Sequence, residues 1–359
     1  MEKFAFILHP ISYQDLTRKY SWANYLPSSL VLEYVKRKKP FIVSHIKGIK
    51  STFTGEEIEG FFIACPLITQ QMVDLPLPYV YNKIIESGRL AQEAGAKIVG
   101  LGAFTSVVGD RGITIKKHLD IDITTGNSYT VASAIEGTYE ALKLLEVEAE
   151  GATLAVVGAT GSIGKAVALL MAPSFKKTYL VGRNADKTKA LISSFQDRNL
   201  DITYTTSIVE GVKEADAIIT VSSAVEEVIH PEMLKPGSVV CDVARPRDVS
   251  PKVAKARNDV LVIEGGVVQV PGNPSFNFNF GFPPGLAYAC MSETMILTLE
   301  KRYDSFSIGK DLDIEKVKEI SGFANKHGFK LAGFRCFEKV LNSSDIYKIK
   351  ENAIKNRRR

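Results

Sequence analysis

Gly158-Ala159-Thr160-Gly161-Ser162-Ile163-Gly164 directly follows an apolar run at 153–157. A buried strand that enters such a turn, with a helix opening behind it at 162–171, gathers backbone N–H groups and the positive end of a helix dipole at one point. That arrangement binds pyrophosphate, and the glycines let the backbone come close to it. A second apolar run at 178–182 completes a βαβ unit of about 30 residues, the context in which such glycines point to a dinucleotide. Without a ligand, the same glycines would serve only close strand–helix packing. The residues after the second strand select the dinucleotide. An acidic side chain there would hold a ribose 2′-OH, but this chain has Arg183-Asn184, and a guanidinium fork suits a 2′-phosphate. The expected cofactor is NADPH.

A second chemistry is available at Cys290, which follows Pro283-Pro284-Gly285 and so falls in the first turns of a helix predicted at 286–301. A thiol there feels the helix dipole, which favours the thiolate. Glu293, three residues on, shares its face. The residues alone leave two readings open, a nucleophile or a packed and inert thiol. Cys65, at a strand end before Pro66, is the other candidate nucleophile. Cys241, mid-strand, and Cys336, in a C-terminal stretch read as helical, are expected to be packing residues. Phe276, Phe278, Phe280 and Phe282 recur at period two just upstream of Cys290. On extended backbone all four rings point one way, either lining an apolar channel or closing a core. Thr105 and Ser106 stand at the end of a strand predicted at 97–101, a usual cleft position in α/β sheets. Asn127 opens a long predicted helix and could be simply its N-cap. The five histidines, His9, His45, His118, His230 and His327, form no motif.

These residues need elements to hold them. Strands are expected at 3–8, 61–65 and 97–101, with a helix at 82–94, which gives a parallel α/β layer. After the helix at 130–145 and the βαβ unit, β-branched runs at 217–221, 238–242 and 260–264 extend a doubly wound sheet. The chain beyond 285 reads as helical to its end. The expected fold is therefore α/β. An N-terminal α/β substrate domain (1–129) precedes a Rossmann-type NADP-binding domain (130–285). A C-terminal helical segment (286–359) packs back on the substrate domain and ends in a basic tail. The 359 residues allow two domains with a cleft between them. A net charge of +5, much of it in the tail, gives no sign of groove-reading of nucleic acid. The tail is expected to be solvated, with at most peripheral membrane contact. The four cysteines form no CxxC pair, and no apolar run reaches the ~18 residues of a span. A cytoplasmic setting is expected.

Several blocks resemble the long-chain acyl-[acyl-carrier-protein] reductases, in that family's order: Gly102-Ala-Phe-Thr-Ser106, Thr124-Thr-Gly-Asn127, Val156-Val-Gly-Ala-Thr-Gly-Ser-Ile-Gly164, Glu264-Gly-Gly-Val-Val268, Tyr288-Ala-Cys-Met-Ser-Glu293 and Lys326-His-Gly-Phe329. The resemblance implies that Cys290 takes the acyl group from a carrier thioester and that NADPH reduces the acyl-enzyme to a fatty aldehyde. It implies Glu293 as a second catalytic residue. It also implies an acyl carrier protein or acyl-CoA as partner, along with an aldehyde-consuming enzyme. Val221, Ser222, Gly265 and Gly266 join the loop, Arg183 and Asn184 as expected cofactor contacts. Thr105, Ser106, Asn127, Phe278 and Phe280 are the expected substrate contacts. Family members are typically helped by Mg²⁺, although no acidic metal site is evident here. The alternatives are a shikimate/quinate-type NADP dehydrogenase, a glutamyl-tRNA reductase and a non-catalytic NADP sensor.

Overall fold

Apolar residues fill Lys3–Leu8 (β1) almost without a break, as a strand covered on both faces requires. In the computed structural model, which describes residues 1–195, 199–224, 226–279, 281–337 and 339–357, β1 lies between two parallel neighbours. These are Glu57–Ala64 (β3) and Ile98–Leu101 (β4). Asp122–Thr124 (β5) continues the parallel set beside β4. Phe41–Lys50 (β2) pairs antiparallel with β3, and Gly272–Ser275 adds an antiparallel edge strand to β2. The mixed six-stranded sheet thus draws its last strand from far along the chain. This edge pairing explains why the chain leaves the second unit earlier than the expected 285. The first compact unit comprises Met1–Asn127, Gln269–Lys310 and Glu319–Lys330. The second comprises Ser128–Val268, Asp311–Lys318 and Leu331–Arg359.

In the first unit, helix Leu77–Glu93 covers one face of the sheet through Val80 and Ile84, packed with Ile7, Ile63 and Leu101. Helix Ala289–Leu299 packs on β1 and β4. Its residues from Met291 to Leu299 are all buried, and all but Glu293 are apolar, serine or threonine. It approaches β4 very closely. A Cβ on Gly100 would lie 2.2 Å from Thr294 Oγ1 and 2.4 Å from the Phe6 ring.

The second unit is a six-stranded parallel sheet of Thr153–Val157 (β6), Lys177–Val181 (β7), Ile202–Thr205 (β8), Ala217–Thr220 (β9), Val239–Asp242 (β10) and Leu261–Glu264 (β11). Their spatial order is β8-β7-β6-β9-β10-β11, the doubly wound Rossmann order, which reverses direction between β6 and β9. Successive strand residues serve opposite cores. Leu154, Val156 and Ile219 pack with Ala134 and Met171, while Ala155, Val157 and Ile218 pack with Val212 and Val253.

The stretch after 285 is not uniformly helical. Leu286–Tyr288 is a short strand, and Arg335–Cys336 pairs with Lys339–Val340 as a small hairpin, so Cys336 is a strand residue. The segment also divides between the units instead of returning as one piece to the first. The described part of the basic tail, to Arg357, is helical, with Lys348, Lys355 and Arg357 exposed. Helix Ser343–Arg357 buries Ile346 in the second unit's core, and the Arg357 guanidinium donates to the carbonyls of Pro236 and Gly237 at 3.0 and 3.3 Å. Among the described residues, no helix is long and apolar enough to cross a membrane.

Candidate active site

The second unit holds the glycine turn at the C-terminal end of β6, at the topological switch point where ligands bind open α/β sheets. Gly158 has φ +85°, and a Cβ on it would sit 2.9 Å from the Val221 carbonyl oxygen, so the turn after β6 touches the end of β9. A Cβ on Gly164 would lie 2.3 Å from the Gly158 carbonyl oxygen; only glycine lets helix Ser162–Met171 close on the turn. Gly161 is the N-cap, and the amides of Ser162, Ile163 and Gly164 occupy the first three helical positions, which have no intrahelical acceptor. Ala159 is buried and Thr160 exposed. The residues present therefore fit a dinucleotide.

Arg183 is exposed beyond β7, with Nη2 donating to Ser223 Oγ at 3.0 Å. Asn184 caps a helix. Its side chain accepts from the Lys187 amide at 2.9 Å as the N-cap of helix Ala185–Ile192. Ser222 is anchored by Asp248, which accepts from its amide at 2.8 Å and its hydroxyl at 2.6 Å, and from the Thr220 hydroxyl. Asp248 lies far from the loop in sequence, and no local pattern marked it. Gly265 and Gly266 are buried after β11. A Cβ on Gly265 would lie 2.7 Å from the Val243 side chain and 2.9 Å from Cys241 Sγ, which gives this glycine a packing reason.

In the first unit, Cys290 is the second residue of helix Ala289–Leu299, after the N-cap Tyr288, and is half-buried. Cys65 and Cys241 are buried, whereas Cys336 is half-buried like Cys290. Burial pushes Cys65 and Cys241 up to about 12 and Cys336 up to about 11, which weighs against Cys65 as the nucleophile. The backbone of Cys290 lies against Gly126, where φ is +75° and a Cβ would meet the Cys290 Cα at 2.3 Å. Glu293 is fully buried. Its carboxylate accepts from the Thr124 hydroxyl and from Ser307 Oγ at 2.7 Å, while the Thr125 hydroxyl donates to the Ser307 carbonyl. Glu293 thus fastens the loop after β5 to the Cys290 helix. The Thr124-Thr-Gly-Asn127 block contains three partners in this arrangement, whereas Ser307 carried no recognisable signal in the sequence.

The expected carbonyl-polarising hydroxyls fare less well. Thr105 Oγ1 donates to the Gly102 carbonyl at 2.7 Å and Ser106 Oγ to the Ala103 carbonyl at 2.6 Å, so both protons are engaged inside the turn Ala103–Ser106. Asn127 is buried at the start of helix Asn127–Leu144, next to Gly126. The phenylalanine row is not one extended face, because Asn277 and Gly281 have positive φ of 49° and 95°. Phe276 is buried against the Phe62 ring at 6.1 Å, and Phe278, 37% exposed, meets the same ring edge-on at 6.0 Å. Phe282 packs instead on Tyr288 at 4.6 Å. Phe280 lies outside the described residues. Among the described residues, no group of three or more His, Cys, Asp or Glu side chains is placed to hold a metal ion, and the Mg²⁺ expectation finds no support.

Residues 140–264 match the shikimate / quinate 5-dehydrogenase family model. The chain is 30% identical over 341 residues to the aminotransferase PigE of Serratia sp., a match that takes in 91% of this chain but only 39% of that longer protein. It is 27% identical over 331 residues to the long-chain acyl-[acyl-carrier-protein] reductase of Synechococcus elongatus, covering 88% of this chain and 94% of that one. Among solved structures, the nucleotide-binding domain of glutamyl-tRNA reductase from Thermoplasma volcanium matches with 21% identity and a TM-score of 0.28, over 36% of this chain and 85% of that domain.

Proposed function

We propose that this protein is an NAD(P)-dependent oxidoreductase, and more narrowly an NADPH-dependent reductase that converts a long-chain acyl thioester to a fatty aldehyde through Cys290. The dinucleotide part is supported by the Rossmann strand order, the glycine turn at its switch point and the family match over 140–264. The narrower part is carried by one observation: Cys65 and Cys241 are buried, and of the two half-buried thiols only Cys290 stands at the start of a helix, Cys336 lying in a strand. Similarity to the Synechococcus reductase along nearly its whole length supports the same reading.

In this reaction the helix amides and dipole favour the Cys290 thiolate, which attacks the carbonyl carbon of the incoming thioester. A bond forms from Cys290 Sγ to the acyl carbon and the bond to the carrier sulfur breaks. The proton lost by Cys290 leaves with the carrier thiol. NADPH, when bound, supplies the hydride that reduces the acyl group. Taking up one proton returns Cys290 as a thiol and releases the aldehyde. Glu293 is a positioning residue: it holds Thr124 and Ser307, and through them keeps Gly126 against the Cys290 backbone.

The deciding experiment is an intact-mass spectrum after incubation with palmitoyl thioester and no NADPH. One acyl chain should be added and then released by hydroxylamine, and Cys290→Ala should lose both the adduct and aldehyde formation. An adduct that maps to Cys65 would overturn the assignment. Turnover of an alcohol by Cys290→Ser at the wild-type rate would favour the shikimate/quinate-type reading, which the family match over the second unit leaves open.

A further inference from the structure

Far from Cys290 in sequence, the first unit carries a patch that neither the cofactor nor the thiol uses. Helix Ser28–Arg37 turns Val31 and Val35 inward, but also carries Leu30 (60% exposed) and Tyr34 (51% exposed) on an adjoining, exposed side. These two are four residues apart and so lie one above the other. Leu26 continues the row one turn earlier, next to Tyr25, which is 87% exposed. Trp22 packs edge-on against Tyr34 at 5.7 Å and also meets Tyr20 at 5.9 Å. Five large apolar side chains therefore stand exposed between Trp22 and Tyr34, with the rings of those two in contact. Isolated exposed apolar residues need no explanation, but a contiguous group marks an interaction site.

The sequence through the patch is mostly of one charge sign. Between Arg18 and Lys50 the chain has eight lysines and arginines and a single acidic residue, Glu33. That carboxylate is shared by Lys36 and Arg37. The Lys38 ammonium lies 4.9 Å from the Tyr34 ring and 5.3 Å from the Tyr20 ring, so cation and aromatic faces are presented side by side. Tyrosine and tryptophan, each with an apolar body and a polar tip, suit a boundary that is oily on one side and wet on the other. Leucine beside them, with flexible ammonium groups at the edge, matches a helix lying in the plane of a lipid headgroup layer. Basic side chains in this position favour an anionic leaflet.

We infer that the Trp22–Lys39 segment is a membrane-surface docking face that takes anionic lipid headgroups, with Tyr25, Leu26, Leu30 and Tyr34 entering the acyl boundary. This is independent of the reaction proposed for Cys290. The protein's one tryptophan is Trp22, so the native chain reports on its own docking. Vesicles of phosphatidylcholine with and without phosphatidylglycerol are mixed with the full-length protein, and Trp22 emission and co-sedimentation are followed. Emission should move to shorter wavelength, and protein should sediment, with the phosphatidylglycerol vesicles, and added salt should weaken both effects. The Tyr25→Ser, Leu30→Ser double variant changes only exposed side chains and should stay folded by circular dichroism. It should bind at least about tenfold more weakly, since each buried leucine-sized group contributes more than one decade. Lys38→Glu with Lys39→Glu should remove the preference for phosphatidylglycerol. Unchanged Trp22 emission with these vesicles, or equal binding by the folded double variant, would overturn the proposal. So would lipid-free, concentration-dependent dimerisation that the double variant abolishes, because the face would then belong to a second copy of the chain.

Discussion

Gly126 and Arg183 show how much one residue can decide. At Gly126 two constraints add: a left-handed backbone, and contact with Cys290 where a Cβ would stand 2.3 Å from Cα. An alanine there is strained by about 1–2 kcal/mol for its conformation and by about 1–3 kcal/mol more for overpacking. Gly126→Ala should therefore lower the denaturation midpoint and slow acylation of Cys290 while NADPH binding persists; unchanged stability and acylation together would remove Gly126 from the site. At Arg183 the issue is charge. A charge-assisted contact to a phosphate contributes about 1.5–3 kcal/mol, or about ten- to hundredfold in affinity. Titrating NADPH and NADH against Arg183→Ala should show the preference for NADPH collapsing by that factor, with NADH affinity little changed. The same preference in both proteins would assign phosphate recognition to another residue.

At the scale of elements, the turn Ala103–Ser106 depends on a histidine from the end of β1. His9 Nε2 accepts from the Phe104 amide at 2.9 Å, and Nδ1 contacts the Pro10 carbonyl at 2.9 Å, which fits one neutral tautomer. Burial is the main cause that lowers its pKa from 6.5 to about 4. The unfolded chain thus takes up a proton near 6.5 that the folded chain refuses until about 4. Stability from this group is present above that window and falls as pH falls through it. Thermal midpoints measured between these pH values should decline less steeply in His9→Gln than in wild type; parallel slopes would mean that His9 does not set the acid limb.

The phenylalanine segment also turns on local geometry. Phe276 is a core residue, so Phe276→Ala should cost roughly 3–5 kcal/mol. Phe278→Ser should cost much less, because its ring is partly in water. If only Phe278→Ser alters the preferred acyl length, with stability kept, the exposed ring serves the substrate. If neither does, the segment is packing alone.

For the whole molecule, the two units bear different parts of the proposed reaction. Saturating NADPH should raise the thermal midpoint, with about 2.7 kcal/mol of stabilisation at a hundredfold excess over Kd. Cys290→Ala should retain that shift, because the thiol belongs to the first unit and the glycine turn to the second. Loss of the shift in a folded Cys290→Ala protein would mean that the thiol takes part in holding the dinucleotide.

The second unit was largely legible in the sequence because its signals are local. A parallel strand buried on both faces is a continuous apolar run, and the glycine turn, the following helix and Arg183 all lie within one βαβ unit. A helix carrying Cys290 was legible for the same reason, but not its start: Leu286–Tyr288 is a strand, and the helix opens at Ala289. Pairings distant in sequence were decided only by the tertiary structure. Gly272–Ser275 joins the first sheet through backbone hydrogen bonds to β2, which no side-chain pattern announces. Thr105 and Ser106, expected at a strand end as substrate contacts, turn their protons inward, while Thr124 and Ser307 converge on Glu293 from positions 169 and 14 residues away. Periodicity records which face of an element is apolar. It does not record which distant carboxylate, carbonyl or glycine will meet that face, because that depends on how buried polar groups find partners once the chain has closed.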